Sequence, residues 1–254
     1  MRLSLITVCF NSEKTIKKTL DSIESQSYKN IEYIIIDGQS TDNTNEIIKS
    51  HKKKIDIHIS EPDEGIFDAY NKGIRVANGD VIGFLNSDDF FVDNNSLDAV
   101  MEEFNKDIDI VFGNVLLLRN DANNSIFRRW KSGPFKKFKL YLGWMPPHPG
   151  FFIKRSIIDN YGFNTEFKIA GDYDFMIRHL LKINSSRVKN VNKFLTYQLI
   201  GGVSTTFSLQ ALFNKLREDI YSMYRNGIFF PLAIIGKNLG KVGQFLNIRS
   251  IQDD

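Results

Sequence analysis

Four short apolar runs, residues 3–10, 31–37, 55–60 and 81–85, are the feature that most restricts the fold of this chain. All but the third are rich in Leu, Ile, Val and Phe with few polar interruptions, as strands buried on both faces require. The segments between them have helical spacing: residues 15–25 place Ile16, Leu20 and Ile23 on one face, residues 42–50 begin at Asp42, a candidate N-cap, and residues 65–77 follow the third run. Strands joined by helices imply crossovers, so the expected fold is α/β with a mostly parallel sheet flanked by helices. In such a sheet the residues following Phe10, Ile36, Ser60 and Leu85 should open onto one crevice at the carboxyl ends of the strands, where ligands bind.

Farther along, the alternation lapses. Residues 97–104 read as a helix and 108–118 as a strand, and from there to Pro149 mixed or antiparallel structure is expected. A strand at 150–154, a helix at 172–182, a strand at 188–191 and a helix at 209–225 complete the map. With 42% hydrophobic and 25% charged residues the chain can bury a large core. Its one cysteine, Cys9, leaves no internal disulfide or cysteine-based zinc cluster. The longest apolar candidate, residues 227–236, is short and interrupted by Pro231, so no membrane span is expected. The strand-like start without a charged leader makes the cytoplasm the expected compartment. A net charge of +3 is too small to argue for nucleic acid as a partner. Dehydrogenase, P-loop ATPase, zinc-protease and α/β-hydrolase motifs are all missing from the sequence.

Several polar groups sit where chemistry is expected. Asn86-Ser87-Asp88-Asp89 follows the fourth strand, and adjacent carboxylates suit a hard cation such as Mg²⁺ or Mn²⁺, although one could equally cap the next helix or form a turn. Asp37 ends the second strand and is either a turn residue or an acceptor for a base or ribose. Thr7, Val8, Phe10 and Asn11 close the first strand, where they could contact the same base. Asp63, Asn71 and Lys72 belong to a turn and helix that could hold a diphosphate, or Asp68 and Lys72 could form only an i,i+4 surface pair. Of Asp172 and Asp174, one reads as an N-cap and the other as a candidate general base. His148, in a proline-stiffened loop, could be a metal ligand, a phosphate donor or a plain loop histidine.

Taken in order, residues 7–11, Ile35-Ile36-Asp37-Gly38-Gln39-Ser40-Thr41-Asp42-Asn43-Thr44, the 63–73 segment and residues 85–89 resemble family 2 glycosyltransferases of the GT-A fold, closest to bacterial enzymes that build surface polysaccharides. The resemblance spans about residues 3–205. It implies a GT-A domain over 1–205, with a nucleotide-binding half at 1–90 and an acceptor-binding half at 91–205, followed by a helical extension at 206–254. It also implies that Asp37 contacts the base, that Asp88 and Asp89 hold ribose and a divalent metal, Mn²⁺ or Mg²⁺, and that Asp172 is the catalytic base. The implied reaction is an inverting transfer of a hexosyl or N-acetylhexosaminyl group. The donor would be a nucleotide sugar, UDP by family habit, and the acceptor a hydroxyl of a glycan or polyprenyl-linked molecule. Many relatives carry Asp where this chain has Asn86, and Glu where it has Gly171; the first either weakens metal affinity or shifts coordination to Asp88 and Asp89, and the second removes an acceptor-positioning carboxylate beside the base. A sugar nucleotidyltransferase is an alternative, but its phosphate loop is not seen after the first strand. So is a nucleotide-sugar-binding protein in which Asn86 and Gly171 record lost catalysis.

Residues 126–144 contain Arg128, Arg129, Lys131, Lys136, Lys137 and Lys139 without an acidic residue, interleaved with Phe127, Trp130, Phe135, Phe138, Tyr141 and Trp144. That mixture suits peripheral contact with an anionic membrane, such as the cytoplasmic face of an inner membrane, or simply a solvated loop over the sheet edge.

Overall fold

In the computed structural model, which describes residues 1–119, 125–200, 209–229 and 231–237, the apolar runs form the expected strands. β1 (Leu3–Cys9), β2 (Ile31–Asp37), β3 (Ile57–Ser60) and β4 (Val81–Phe84) pair in parallel in the order β3-β2-β1-β4. The crossovers are α1 (Ile16–Glu24), α2 (Thr44–Ser50) and α3 (Ile66–Val76). Every residue of β1 is buried. Its side chains alternate between two cores, as the period of a strand dictates: Ile6 and Val8 pack with Phe67, Tyr70 and Phe175, whereas Leu3 and Leu5 pack with Ile16, Leu20 and Ile48. Covering both faces explains why β1, β2 and β4 read as nearly unbroken apolar runs.

Beyond β4 the sheet is mixed. β5 (Asp89–Phe91) and α4 (Ser96–Met101) precede the long strand β6 (Ile110–Leu118), and β7 (Ile126–Trp130), β8 (Phe151–Lys154), α5 (Gly171–Lys182), β9 (Val188–Leu199) and α6 (Leu209–Arg225) follow. β8 joins β4 to β6 through antiparallel ladders, β9 runs parallel to β6, and β5 and β7 pair antiparallel with β9 and β6. A short helix covers residues 231–237. Among the described residues, no helix is long and apolar enough to cross a membrane.

Three expectations need correction. Helix α2 starts at Thr44 rather than Asp42, because Asp42 Oδ1 accepts from the Thr44 amide at 3.0 Å and hydroxyl at 2.5 Å from outside the helix. The basic residues 126–130 form an antiparallel edge strand, in keeping with the mixed structure expected there, and not a solvated loop over the sheet edge. The last strand runs on to Leu199, past a register shift opposite β6 and a left-handed Asn192 with φ 51°. Of the aromatics in the basic segment, Phe135 enters the core and Trp144 donates its indole N–H to Ser132 O at 2.9 Å, while Phe138 and Tyr141 face solvent.

Candidate active site

The carboxyl ends of β1 and β4 and the starts of α3 and α5 enclose a cleft of about 840 Å³. Two strand ends are stitched together there, since Ser12 Oγ lies 2.8 Å from Ser87 Oγ. Asn11 adopts a left-handed backbone with φ 49°; its amide donates to Ser40 Oγ at 2.8 Å and its Oδ1 accepts from the Thr41 amide at 2.9 Å. These bonds fold the loop after β2 against the mouth, where Phe10 stands 62% exposed. Asp63 closes the same corner, packed so tightly on Gly38 that a Cβ there would lie 2.5 Å from Asp63 Oδ2.

Nine of the candidate residues line this cleft: Val8, Phe10, Asn11, Asp63, Asn86, Ser87, Asp88, His148 and Asp172. Thr7, Asp37, Asn71, Lys72 and Asp89 do not, and each has a physical reason. Thr7 is fully buried and accepts from the Tyr33 hydroxyl at 3.1 Å. Asp37 lies under the loop instead of on the wall: its Oδ2 accepts from Ser60 Oγ at 2.6 Å, Asn45 Nδ2 at 2.9 Å and the Ser40 amide at 3.0 Å. Burial alone would raise its pKa, but these hydrogen bonds outweigh it and hold the carboxyl below the usual range. Asn71 spends both side-chain ends on the backbone of Phe163, at 2.8 Å each. Lys72 is held by Glu61 at 2.9 Å, the Pro62 carbonyl at 2.6 Å and Asp68 at 3.6 Å, so it forms the i,i+4 pair and is not a free cation aimed at a diphosphate.

The Asn86–Asp89 run divides by depth. Asn86 Oδ1 accepts from the Tyr70 hydroxyl, which fixes this neutral side chain at the cleft. Asp88 is on the wall, and burial holds its carboxyl above the ordinary value. Asp89 begins β5 behind it, wholly buried, with no hydrogen-bond partner for either carboxylate oxygen. Burial first, and the Asp88 charge second, push Asp89 well above the carboxylate range. Burial and then the charges of Asp89, Asp172 and Asp88 raise the Tyr70 hydroxyl, so all three carboxylates act on one neighbourhood.

Across the cleft Asp172 occupies the first turn of α5, half-buried, with Oδ1 accepting from the Tyr173 amide at 2.7 Å. Asp174 turns away to Asn226 Nδ2 at 3.1 Å and Ser222 Oγ at 3.3 Å. Neither aspartate is the N-cap, which is Ala170, without a side-chain cap bond. Gly171 faces Phe67, whose ring would lie 2.7 Å from a Cβ at that position, so no larger side chain fits there as packed. His148 is 7% exposed and stacks on Phe84 with centroids 5.3 Å apart and 20° between planes. Its Nε2 has no partner, and burial lowers its pKa against the opposing pull of Asp172, leaving a neutral imidazole at the cleft.

Lys14, Lys168, Ile169, Gln198 and Leu199 also line the cleft and were not singled out from sequence. Among the described residues, no three His, Cys, Asp or Glu side chains are grouped as a ready-made metal cage.

The sequence profile described as "Glycosyl transferase family 2" matches residues 4–171. An uncharacterized glycosyltransferase of Mycobacterium tuberculosis is 29% identical over 234 residues, covering 89% of this chain and 86% of that protein. A PGL/p-HBAD biosynthesis glycosyltransferase of the same organism is 27% identical over 215 residues, covering 80% of this chain and 79% of its own. Among solved structures, S. aureus TarS 1–349 in complex with UDP-GlcNAc superposes with a TM-score of 0.63 at 20% identity, and this chain, 88% covered, spans 66% of that one. Glucosyl-3-phosphoglycerate synthase from Mycobacterium tuberculosis, in complex with Mn²⁺, UDP and phosphoglyceric acid, superposes with a TM-score of 0.60 at 17% identity, covering 89% and 79% of the two chains. These likenesses show a GT-A-like fold.

Proposed function

The chain belongs to glycosyl transferase family 2, and on that premise we propose that it is an inverting, metal-dependent glycosyltransferase. It takes a hexosyl or N-acetylhexosaminyl group from a nucleotide sugar, UDP favoured, and delivers it to a hydroxyl of a glycan or lipid-linked acceptor in cell-surface polysaccharide assembly. The observation that carries this reading is that Asp88 and Asp172, brought from separate halves of the chain, line one cleft. Direct displacement at an anomeric carbon asks for a base on the acceptor side and charge neutralisation on the leaving-group side.

Asp172 supplies the base: its exposed oxygen takes the proton of the acceptor hydroxyl as that oxygen attacks the sugar, and its charge favours an oxocarbenium-like transition state. Phe10, Asn11 and Asp63 form the nucleoside corner, with Asp37 and Thr7 holding the strand ends from beneath. His148 offers a neutral imidazole nitrogen to a sugar hydroxyl. The residues fit a hard cation, because Asp88 faces the cleft and the buried oxygens of Asp89 behind it are unpartnered. Mn²⁺ or Mg²⁺ needs only one or two carboxylates when substrate phosphates complete its shell. Asp88 would hold it, with Asp89 directly behind, and the bound ion would stabilise the departing diphosphate.

Exposed Phe138, Tyr141, Leu142, Leu232 and Ile235, next to Lys136, Lys137 and Lys139, support peripheral attachment to an anionic membrane where a lipid-linked acceptor resides. Flotation with anionic vesicles tests that attachment, and protein left entirely in the lipid-free fraction at low salt would remove it. The central test is thermal unfolding with nucleoside diphosphates, with and without Mn²⁺, since a ligand of the native state raises the melting temperature. UDP with Mn²⁺ should stabilise most. A flat response to every nucleotide would end the nucleotide-sugar reading.

A further inference from the structure

The first amides of an α-helix have no partner within the helix, and a nearby Asp is commonly drafted to cap them. At α5 the three amides that lead into the helix, those of residues 168–170, are held by a residue almost fifty positions away. Glu218, on α6, accepts from the Lys168 amide through Oε1 at 3.0 Å, and from the Ile169 and Ala170 amides through Oε2 at 2.8 Å each. Its negative charge also sits at the positive end of the α5 dipole. With the backbone ahead of it held from α6, Asp172, whose Oδ1 takes the Tyr173 amide, lines the cleft.

The same face of α6 continues the grip. Ser222 and Asn226, at the i+4 and i+8 positions from Glu218, both bond Asp174 Oδ1. Lys237, from the short helix that follows, pairs with Asp219 at 2.8 Å and places its ammonium 3.5 Å from the centre of the Tyr173 ring. The held segment is functional wall: Lys168 and Ile169 line the cleft immediately ahead of Asp172. The family match ends at residue 171, so every one of these holding groups lies beyond it.

We infer that Glu218 is a positioning residue for the reaction, setting the 168–170 backbone and through it the carboxylate of Asp172, so that α6 is a working part of the active cleft. Its role in turnover rests on the function proposed above; its hold on the backbone does not. The test uses the full chain as wild type, Glu218→Ala and Glu218→Gln, with hydrogen exchange followed by mass spectrometry. Exchange at amides 168–170 should rise about tenfold or more in Glu218→Ala and stay unchanged in β1 and β2. Glu218→Gln, which keeps one acceptor oxygen, should restore part of the protection. Alongside it, release of UDP from UDP-glucose or UDP-N-acetylglucosamine in water should slow about tenfold in Glu218→Ala, while the thermal stabilisation by UDP with Mn²⁺ is retained. Unchanged exchange at 168–170 would overturn the inference, and so would parallel loss of UDP binding and turnover, the mark of general damage. If wild-type protein releases no UDP from either donor, the donor reading fails while the exchange result still judges the clamp.

Discussion

Asp37→Asn separates a loop anchor from a base contact. Oδ2 of Asp37 accepts three hydrogen bonds at 2.6–3.0 Å, from Ser60, Asn45 and the Ser40 amide, and the side chain is fully buried. A bond to a charged acceptor contributes roughly 1.5–3 kcal/mol and one to a neutral acceptor roughly 0.5–1.5. An amide oxygen left in the same place therefore forfeits about 1 kcal/mol per bond, or about 3 kcal/mol for the three. For a chain of this size that corresponds to a fall in melting temperature of roughly 6–12 °C. Thermal and urea unfolding measure the loss, and calorimetric titration with UDP and Mn²⁺ measures binding separately. A shift of less than about 2 °C combined with a tenfold or greater loss of UDP affinity would refute the reasoning, because it would place the Asp37 carboxylate on the ligand and not under the loop.

Other perturbations have equally defined outcomes. Asp172→Asn should lower turnover by roughly 10²-fold or more with UDP affinity within about twofold of wild type, since only the proton acceptor is lost; near-normal turnover would dismiss Asp172 as the base. His179 is 1% exposed, and burial pushes its pKa down to about 4 from 6.5. The fold holds it neutral while the unfolded chain protonates, so its contribution is intact above pH 6.5 and is lost as pH falls toward 4, by about 3 kcal/mol in total. Urea midpoints of wild type and His179→Gln across that window read the effect, and equal slopes would exclude His179 as the cause. Gly171→Ala should cost roughly 1–3 kcal/mol through contact with Phe67, and Phe67→Leu in the same chain should recover part of it; additive losses in the double variant would contradict the packing.

The parallel half of the sheet was readable because β1 and β2 are covered on both faces and so announce themselves as unbroken apolar runs. Only the first residues of β9 are legible in sequence because Lys189, Asn192 and Lys193 face outward and Asn192 interrupts the register. β7 cannot be told from a solvated loop in sequence because its arginines look like loop chemistry, yet they sit on an antiparallel edge strand. At the site, strand ends and helix starts gave Asp88 and Asp172 their places. Asn71 and Lys72 looked equally suited, and only the fold reveals that Phe163 and Glu61 already hold them. Nothing in sequence near residue 170 points to Glu218, because a polar residue on an amphipathic helix looks the same whether it faces water or three amides.

The ring of Phe67 against Gly171 ties two positions a hundred residues apart so that neither can be enlarged independently. A lineage that gained a carboxylate at 171 while the ring stayed would meet a steric barrier at once. An acid at 171 therefore asks for a smaller or displaced side chain at 67 in the same molecule.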